Sequence, residues 1–267
     1  MKFLESLIYG FVSGICEILP VSSRAHQGIM LKLFGVSEVN PILSLMVHLS
    51  ILAAVLFSCR NLVDQLRNRQ TYGKRTRRIH YNTNFRFIKN ATISLAIGIV
   101  LLTYTTNTTP TLPKIAIFSL VNGIVLFLPA RMMQGNKDTV DMSAIDSITI
   151  GIFGATSVIP GISRFAIMTS YASMRGVDKE KSLNLALLLS IPALFISVLF
   201  DFFALFGGMQ AVSFGLFMGY ILAMGVAFIA CYFASVFMRF LSVRTGYSGF
   251  AFYSWGLALF SFVLYLI

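Results

Sequence analysis

The sequence reads Pro-Val-Ser-Ser-Arg at residues 20–24 and Pro-Gly-Ile-Ser-Arg at residues 160–164. Each stretch lies near the centre of an apolar segment, roughly residues 3–33 and 146–175. Because proline removes a backbone donor and clashes with the preceding turn, each segment is predicted to form two half-helices rather than one spanning helix. Broken backbone at membrane depth is tolerated only where it lines a cavity in the protein. We therefore expect two re-entrant helical hairpins whose breaks surround a buried site.

The two broken segments match one another beyond the quoted residues. Gly14 precedes the first proline at the same distance in sequence as Gly154 precedes the second. This likeness indicates an internal duplication. The sequence therefore predicts a single membrane domain over residues 1–267, with repeat one at about 1–131 and repeat two at about 146–267.

The composition makes lipid the solvent for much of the surface. Hydrophobic residues make up 57% of the chain and charged residues 12%, and the mean hydropathy is +0.80. One soluble core of 267 residues could not enclose so many apolar side chains. The sequence thus predicts an all-α polytopic membrane protein with about six transmembrane helices. The apolar runs that predict them lie at about 41–58, 91–106, 113–131, 183–206, 211–238 and 247–267.

The formal net charge of +11 is concentrated in one place. Nine lysines and arginines fall within residues 60–90, between two apolar runs. This pattern is typical of a cytoplasmic membrane loop, because such loops carry an excess of lysine and arginine. We therefore predict a basic cytoplasmic loop over 60–90, and no nucleic-acid partner.

Counting crossings from this basic loop gives the sidedness of both halves. The run at 41–58 then begins outside, so the first hairpin enters from the outer face and the second from the cytoplasm. Each half holds one hairpin and three spans, and this odd number inverts the second half relative to the first. The count places most later basic residues at cytoplasmic ends, as the charge rule requires. They are Arg175, Lys179, Lys181, Arg239 and Arg244.

Charged side chains inside the broken segments need a partner or a function. A charge at membrane depth costs roughly 2.5–3.5 kcal/mol on insertion scales. Arg24 and Arg164 carry fork-shaped donors that suit phosphate oxygens. The half-helices that begin near Ser22 and Ser163 point free backbone N–H groups toward the same place. Together these residues are predicted to form an anion pocket for a phosphate.

Three residues of the first break are candidates for chemistry at that phosphate. Ser23 and His26 are three residues apart, so they share a helix face and could act as a hydroxyl nucleophile and an acid or base. Glu17 could pair with the arginines, or could hold a divalent cation, Mg²⁺ or Ca²⁺, that bridges phosphate oxygens.

Structural roles stay open beside these functional ones. Glu17 and an arginine could form a buried ion pair that is only structural. For Ser22 the favoured role is that of a helix N-cap, and the other serines of the breaks could also be N-caps. His26 could be a hydrogen-bonded helix histidine. Outside the breaks, His48 is expected to line the pocket or to bond between helices, and Asp201 to lie at the outer interface.

At these residues the chain resembles the undecaprenyl-diphosphate phosphatases of the bacitracin-resistance type. Residues 17–23, Glu-Ile-Leu-Pro-Val-Ser-Ser, followed by His26, are similar to the family's first motif, E-G-x-T-E-F-L-P-V-S-S-T-G-H. Residues 160–164 are similar to its second motif, P-G-x-S-R-S, and Leu187–Ala193 resembles the helix that follows. The likeness covers nearly the whole chain.

The resemblance implies a multi-pass enzyme of the bacterial cell membrane that removes one phosphate from a polyprenyl diphosphate lipid used in cell-wall synthesis. It implies that Glu17 helps to bind the divalent cation, that Ser23 and His26 act at the phosphate, and that Ser163 and Arg164 hold the diphosphate. The pocket of that family opens to the extracytoplasmic side, which agrees with the counted topology. A homodimer is compatible with the sequence.

The chain departs from the family's motifs at several positions near the expected phosphate. Losing one carboxylate while gaining an arginine changes the local charge by about two units, which favours a bound anion and weakens a Mg²⁺ or Ca²⁺ site. A transporter that moves or binds the lipid phosphate without hydrolysis is therefore the alternative function. The departures are Ser13 for Glu, Cys16 for Thr, Arg24-Ala25 for Thr-Gly, His48 for Gln, Phe165 for Ser and Met168 for Thr.

Overall fold

A computed structural model describes residues 1–67, 74–106, 108–132, 135–138, 141–207, 212–244 and 246–267. Within these ranges it describes the side chains of all residues except 63–84 and 243. The apolar runs fold as helices, because a helix satisfies its own backbone donors and acceptors within lipid. Over these residues the chain forms ten α-helices and no strand. They are α1 (Phe3–Ile18), α2 (Ser23–Phe34), α3 (Pro41–Arg67), α4 (Lys74–Thr105), α5 (Leu112–Phe127), α6 (Ala144–Ala155), α7 (Arg164–Met174), α8 (Lys179–Ala204), α9 (Phe214–Arg244) and α10 (Gly249–Leu266).

Six of these helices are long and apolar enough to cross a membrane, which confirms the predicted number of spans. Many of their large apolar side chains face outward, as a lipid-facing surface requires. The six spans are Pro41–Leu62, Phe85–Thr105, Leu112–Arg131, Lys179–Gly207, Phe214–Ser242 and Gly249–Leu266.

The basic segment is more helical than the sequence predicted. A loop was expected over 60–90, but α3 continues to Arg67 and α4 already begins at Lys74. Lysine, arginine and glutamine are good helix formers, so both helices continue through polar sequence beyond their apolar parts. Residues 68–73 lie outside the described residues, and the cytoplasmic side of the segment stays a prediction.

Both apolar segments with a central proline are broken as predicted. Pro20 lies between α1 and α2, and Pro160 lies between α6 and α7. In each case the two half-helices pack against one another, as the arms of a hairpin do. The second half-helix of each pair begins with a serine N-cap: Ser22 Oγ accepts from the backbone N–H of Ala25 at 3.3 Å, and Ser163 Oγ accepts from Ala166 at 3.2 Å.

A direct hydrogen bond joins the second break to Ser22, the N-cap residue of α2. The backbone N–H of Gly161 donates to Ser22 Oγ at 3.0 Å. Gly161 has a φ of +107°, and a Cβ at this position would collide with Phe118 and with the backbone of Ser119. Only glycine suits this backbone conformation and this close approach to α5.

A buried asparagine on α5 connects the same two breaks. Asn122 Nδ2 donates to the carbonyl of Pro20 at 3.2 Å and to Ser254 Oγ of α10 at 3.0 Å. Its Oδ1 accepts from the backbone N–H of Ser163 at 2.9 Å. Asn122 is buried, and it satisfies one backbone group in each break.

We expect Asn122→Ala to lower the free energy of unfolding by about 3 kcal/mol, because it leaves a buried carbonyl and a buried N–H without partners. Thermal unfolding of the purified protein in detergent measures the loss. Ser119→Ala on the same helix is the matched control, since Ser119 Oγ is buried and has no hydrogen-bond partner among the residues that the structure describes. Equal unfolding midpoints for the two variants would contradict this role of Asn122.

The helix pairing is reciprocal between the two predicted repeats. α1 packs along α9, and α6 packs along α4. These two contacts are equivalent, because α6 is the counterpart of α1 in the second repeat and α9 is the counterpart of α4. α3 packs on its counterpart α8, and α5 on its counterpart α10. Close approach of α1 to α9 is possible because Gly10 and Gly14 lie against the backbone of Ala223 and Ala227. This reciprocity is what two repeats related by a pseudo-two-fold axis produce.

Candidate functional site

A cavity of about 280 Å³ lies between the two breaks. The first break contributes Glu17, Ser23 and Arg24 to its wall, and the second contributes Ser163 and Arg164. The first turns of α3 and the last turns of α8 close the cavity from the side. The structure therefore brings residues from both predicted hairpins to one buried space.

Glu17 and Arg164 form an ion pair across this space, joining the two repeats. Arg164 Nη2 donates to Glu17 Oε1. The Glu17 side chain is only 13% exposed and the Arg164 side chain only 9%. Removing either partner would leave an uncompensated buried charge. The pair nevertheless uses only part of the guanidinium, because Arg164 Nε is buried and has no hydrogen-bond partner among the described residues.

Two more residues on the cavity wall have polar groups without a partner in the described parts of the chain. Ser23 Oγ is buried and bonds to no described residue. No described acidic side chain lies within ion-pair distance of Arg24. Native proteins leave few buried polar atoms unsatisfied. The hydroxyl of Ser23 and the guanidinium groups of Arg164 and Arg24 belong to residues that line one cavity, and such a set of donors fits an oxyanion with several acceptor oxygens.

The backbone adds to this donor set. α2 begins at Ser23 and α7 begins at Arg164, so both helices start at the cavity. The first turns of a helix carry backbone N–H groups without intrahelical partners, and the helix dipole places partial positive charge there. Two helix N-termini and two arginines around one space favour a phosphate group.

His26 and Ser22 lie behind the cavity wall rather than on it. His26 Nδ1–H donates to the carbonyl of Ser22 at 2.7 Å, and the hydroxyl of Tyr253 donates to His26 Nε2 at 2.6 Å. The two rings are stacked, with their centroids 5.7 Å apart. Both imidazole nitrogens of His26 are therefore engaged, and the Ser22 hydroxyl serves the cap of α2 and Gly161.

The cavity holds an acid–base pair that the sequence analysis did not place there. His48 Nδ1–H donates to Asp201 Oδ2 at 2.5 Å, and the hydroxyl of Ser44 donates to Asp201 Oδ1 at 3.0 Å. His48 lines the cavity and bonds between helices, as expected. Asp201, which was expected near the outer end of its helix, lies in the last turns of α8 and also lines the cavity. The available signal was the spacing of Ser44 and His48, which places two polar groups on one face of an apolar helix.

The residues near Glu17 do not fit a divalent cation held by the protein. Glu17 already pairs with Arg164, and Ser13 stands where the resemblance expects a second carboxylate. Gln27 Nε2 donates to Ser13 Oγ at 3.0 Å, so this position carries a neutral hydrogen bond. Within the described residues no three His, Cys, Asp or Glu side chains come together as ligands. Mg²⁺ and Ca²⁺ sites are normally built from several oxygen ligands.

Six long apolar helices, with two broken helix pairs that meet around an arginine-lined cavity, define a polytopic helical membrane protein. Residues 6–260 match the sequence profile of the family described as bacitracin resistance protein BacA, and the chain belongs to this family.

Curated relatives are similar over nearly the full length of the chain. "Undecaprenyl-diphosphatase 1" of Shouchella clausii is 30% identical over 270 residues, covering 98% of this chain and 96% of the relative. "Undecaprenyl-diphosphatase" of Carboxydothermus hydrogenoformans is 27% identical, covering 96% and 94%. "Undecaprenyl-diphosphatase 3" of Bacillus cereus is 26% identical, covering 97% and 96%.

Proposed function

We propose that this protein hydrolyses undecaprenyl diphosphate to undecaprenyl monophosphate and inorganic phosphate. The names of relatives that match it from end to end support this substrate. The observation that carries the proposal is that two residues lining one cavity have buried donors, Ser23 Oγ and Arg164 Nε, without a partner in the described part of the chain. Arg24 lines the same cavity and has no ion pair with a described acidic residue. These groups suit the several oxygens of a diphosphate better than any apolar or cationic ligand.

Each wall of the cavity has a separate part in this reaction. Arg24, Arg164 and the N-terminus of α7 at Ser163 hold the phosphate oxygens, and Glu17 positions Arg164 through their ion pair. Charge that develops on the transferring phosphoryl group is stabilised by the two guanidinium groups. Behind the wall, Ser22 and its bond to His26 fix the first turn of α2.

Ser23 is the proposed nucleophile. Among the hydroxyls on the cavity wall in the described part of the chain, only that of Ser23 is buried without a partner. Its Oγ forms a bond to the terminal phosphorus while the bond from that phosphorus to the bridging oxygen breaks. The electron pair stays on the bridging oxygen, and undecaprenyl monophosphate leaves. Water then cleaves the phosphoserine, which releases inorganic phosphate and restores the hydroxyl.

The cavity lies at the end of the bundle where α3 begins and α8 ends. The charge pattern of the sequence puts this end on the extracytoplasmic side of the bacterial cell membrane. A lipid substrate would then present its head group from the outer leaflet, with the prenyl tail against the apolar helices. Accessibility labelling of a cysteine placed near Lys32 and another near Arg60 tests this sidedness, and labelling of the Arg60 site from outside would contradict it.

The decisive experiment measures phosphate release from C55 diphosphate by purified protein in detergent, with Mg²⁺, with Ca²⁺ and with a chelator. We expect release in at least one of these conditions, at a rate proportional to protein concentration. Binding of the lipid without release in all three would overturn the proposal and leave a lipid-phosphate binding protein or transporter.

A further inference from the structure

We propose that His48 accepts the proton of the attacking hydroxyl and that Asp201 positions it. Neither residue belongs to the two Pro-centred motifs, and they come from different repeats, on α3 and α8. The pair lies on the wall of the same cavity as Ser23 and the two arginines. This role rests on the proposed hydrolysis, and it adds the base that the reaction needs.

The hydrogen bonds around Asp201 fix the tautomer of His48. Ser44 donates its hydroxyl to Asp201 Oδ1, so Oδ2 faces the histidine and accepts from Nδ1–H at 2.5 Å. A neutral imidazole carries one N–H, and with that proton on Nδ1 the other nitrogen keeps its lone pair. His48 lines the cavity, and its Nε2 can therefore accept a proton while Asp201 holds the ring in a fixed orientation. Catalytic triads orient an imidazole with a carboxylate in the same way.

His26 has the opposite arrangement, although it is the histidine nearest to Ser23 in the first motif. Its Nδ1–H is bonded to the Ser22 carbonyl, and its Nε2 accepts from Tyr253. No lone pair remains for a proton from the substrate side, and the ring is not on the cavity wall. His48 supplies what His26 lacks, namely an available nitrogen at the cavity.

The proton balance of the reaction is complete with His48. As the Ser23 oxygen bonds to the terminal phosphorus, its proton passes to His48 Nε2, giving an imidazolium beside the Asp201 carboxylate. The bridging oxygen leaves as part of the monophosphate and needs no proton. When water cleaves the phosphoserine, His48 returns the proton to Ser23, and the net reaction releases one proton to solvent.

The charges around the pair also suit this role. Each side chain is 18% exposed, so the imidazolium formed in the reaction is largely shielded from water. Asp201 provides the opposite charge at hydrogen-bond distance. The remaining charged groups on the cavity are Glu17, Arg24 and Arg164, of which Glu17 and Arg164 already pair with one another.

The test compares phosphate release by His48→Gln, Asp201→Asn and the double variant. We expect His48→Gln to lower kcat about 100-fold while KM changes less than about threefold, as is typical for loss of a general base. In Asp201→Asn the amide oxygen stays with Ser44, so the NH₂ group faces His48 Nδ1 and forces the imidazole proton onto Nε2. This variant should lose a similar factor. The double variant should be no slower than either single one, because the two residues act as a unit.

Chemical rescue separates catalysis from structure. In His48→Gly, added imidazole should restore kcat at least about tenfold, whereas Asp201→Asn should not respond. Ser50→Ala on the same helix is the control, since Ser50 Oγ bonds only to the carbonyl of Val47 in the described structure. It should keep kcat within about twofold.

Several outcomes would overturn the inference while leaving the proposed function intact. If the wild-type protein releases phosphate and His48→Gln retains its kcat, His48 is not the base. If both single variants raise KM and lower the melting temperature, with additive losses and no imidazole rescue, the pair is only a structural link between α3 and α8. Absence of release by the wild-type protein would instead reject the proposed function itself.

Discussion

Replacing Arg164 with alanine is expected to abolish both lipid binding and hydrolysis. Arg164 is the only arginine that combines an ion pair with an unpartnered, buried Nε on the cavity, among the residues described. Truncating a buried, hydrogen-bonded charge typically costs 2–5 kcal/mol in affinity, so we expect lipid binding to weaken by about 100-fold or more. Phosphate release should fall further, because the guanidinium also stabilises the transferring phosphoryl group.

The same substitution affects the fold, and a second variant separates the two effects. Arg164→Ala leaves the Glu17 carboxylate buried without its partner, which costs about 3–5 kcal/mol of stability. The double variant Glu17→Gln with Arg164→Ala removes that stray charge, so it should recover much of the thermal stability. It should recover none of the binding, measured by quenching of a labelled prenyl diphosphate. Near-normal binding by the double variant would show that the anion site lies elsewhere.

Glu17→Gln alone serves as the matched comparison. The amide can still accept a hydrogen bond from Arg164, so lipid binding should change by less than about tenfold. Hydrolysis should suffer more than binding, because Arg164 is then held less firmly against the phosphoryl group. Equal losses in binding and hydrolysis would indicate that Glu17 has only a structural role.

The architecture was predictable because its signals are local in sequence. Proline in an apolar run, followed closely by serine and arginine, indicates a break, so PVSSR and PGISR point to the two breaks without any knowledge of their neighbours. Proline alone is not sufficient, because α8 continues through Pro192. Long apolar runs likewise reveal spans, and all six were found. Hydropathy locates the spans but does not show that α3 continues to Arg67 and that α4 already begins at Lys74.

The pair formed by His48 and Asp201 could not be predicted in the same way. The two residues are 153 positions apart, and only the packing of α3 on α8 brings them together. Polar residues in apolar helices indicate that partners exist, but they do not identify which helix supplies them. The environments of His48 and Asp201 were therefore predicted separately, and the hydrogen bond between the two residues was not predicted.

For His26, the sequence spacing predicted a catalytic pair that tertiary packing does not favour. Its spacing from Ser23 predicts a shared helix face, and that inference uses only α2. The position of Tyr253 on α10, which occupies His26 Nε2, follows from tertiary packing alone. A local pattern can thus propose a catalytic pair, while a distant residue decides whether the imidazole is available. The catalytic role of His26 stays a prediction, and the geometry favours a positioning role.

Ser23→Ala is expected to lower phosphate release by about 1,000-fold or more while leaving lipid binding nearly unchanged. Loss of the nucleophile removes the covalent route entirely, and only binding and charge stabilisation remain. The hydroxyl is one neutral donor among several charged ones, so its removal should weaken binding by no more than a few fold. Ser197→Ala is the control, because Ser197 also lines the cavity but donates to the Ala193 carbonyl within α8.

A covalent intermediate gives this prediction a second, independent measurement. Wild-type protein quenched in acid during turnover of a substrate labelled at the terminal phosphate should retain label on serine, and Ser23→Ala should retain none. Retention of more than a tenth of the wild-type rate by Ser23→Ala would make a water molecule the nucleophile. The proton acceptor would then be needed for that water instead, so His48→Gln should still be slow. Loss of activity in His48→Gln together with normal activity in Ser23→Ala would therefore keep the base and replace the nucleophile.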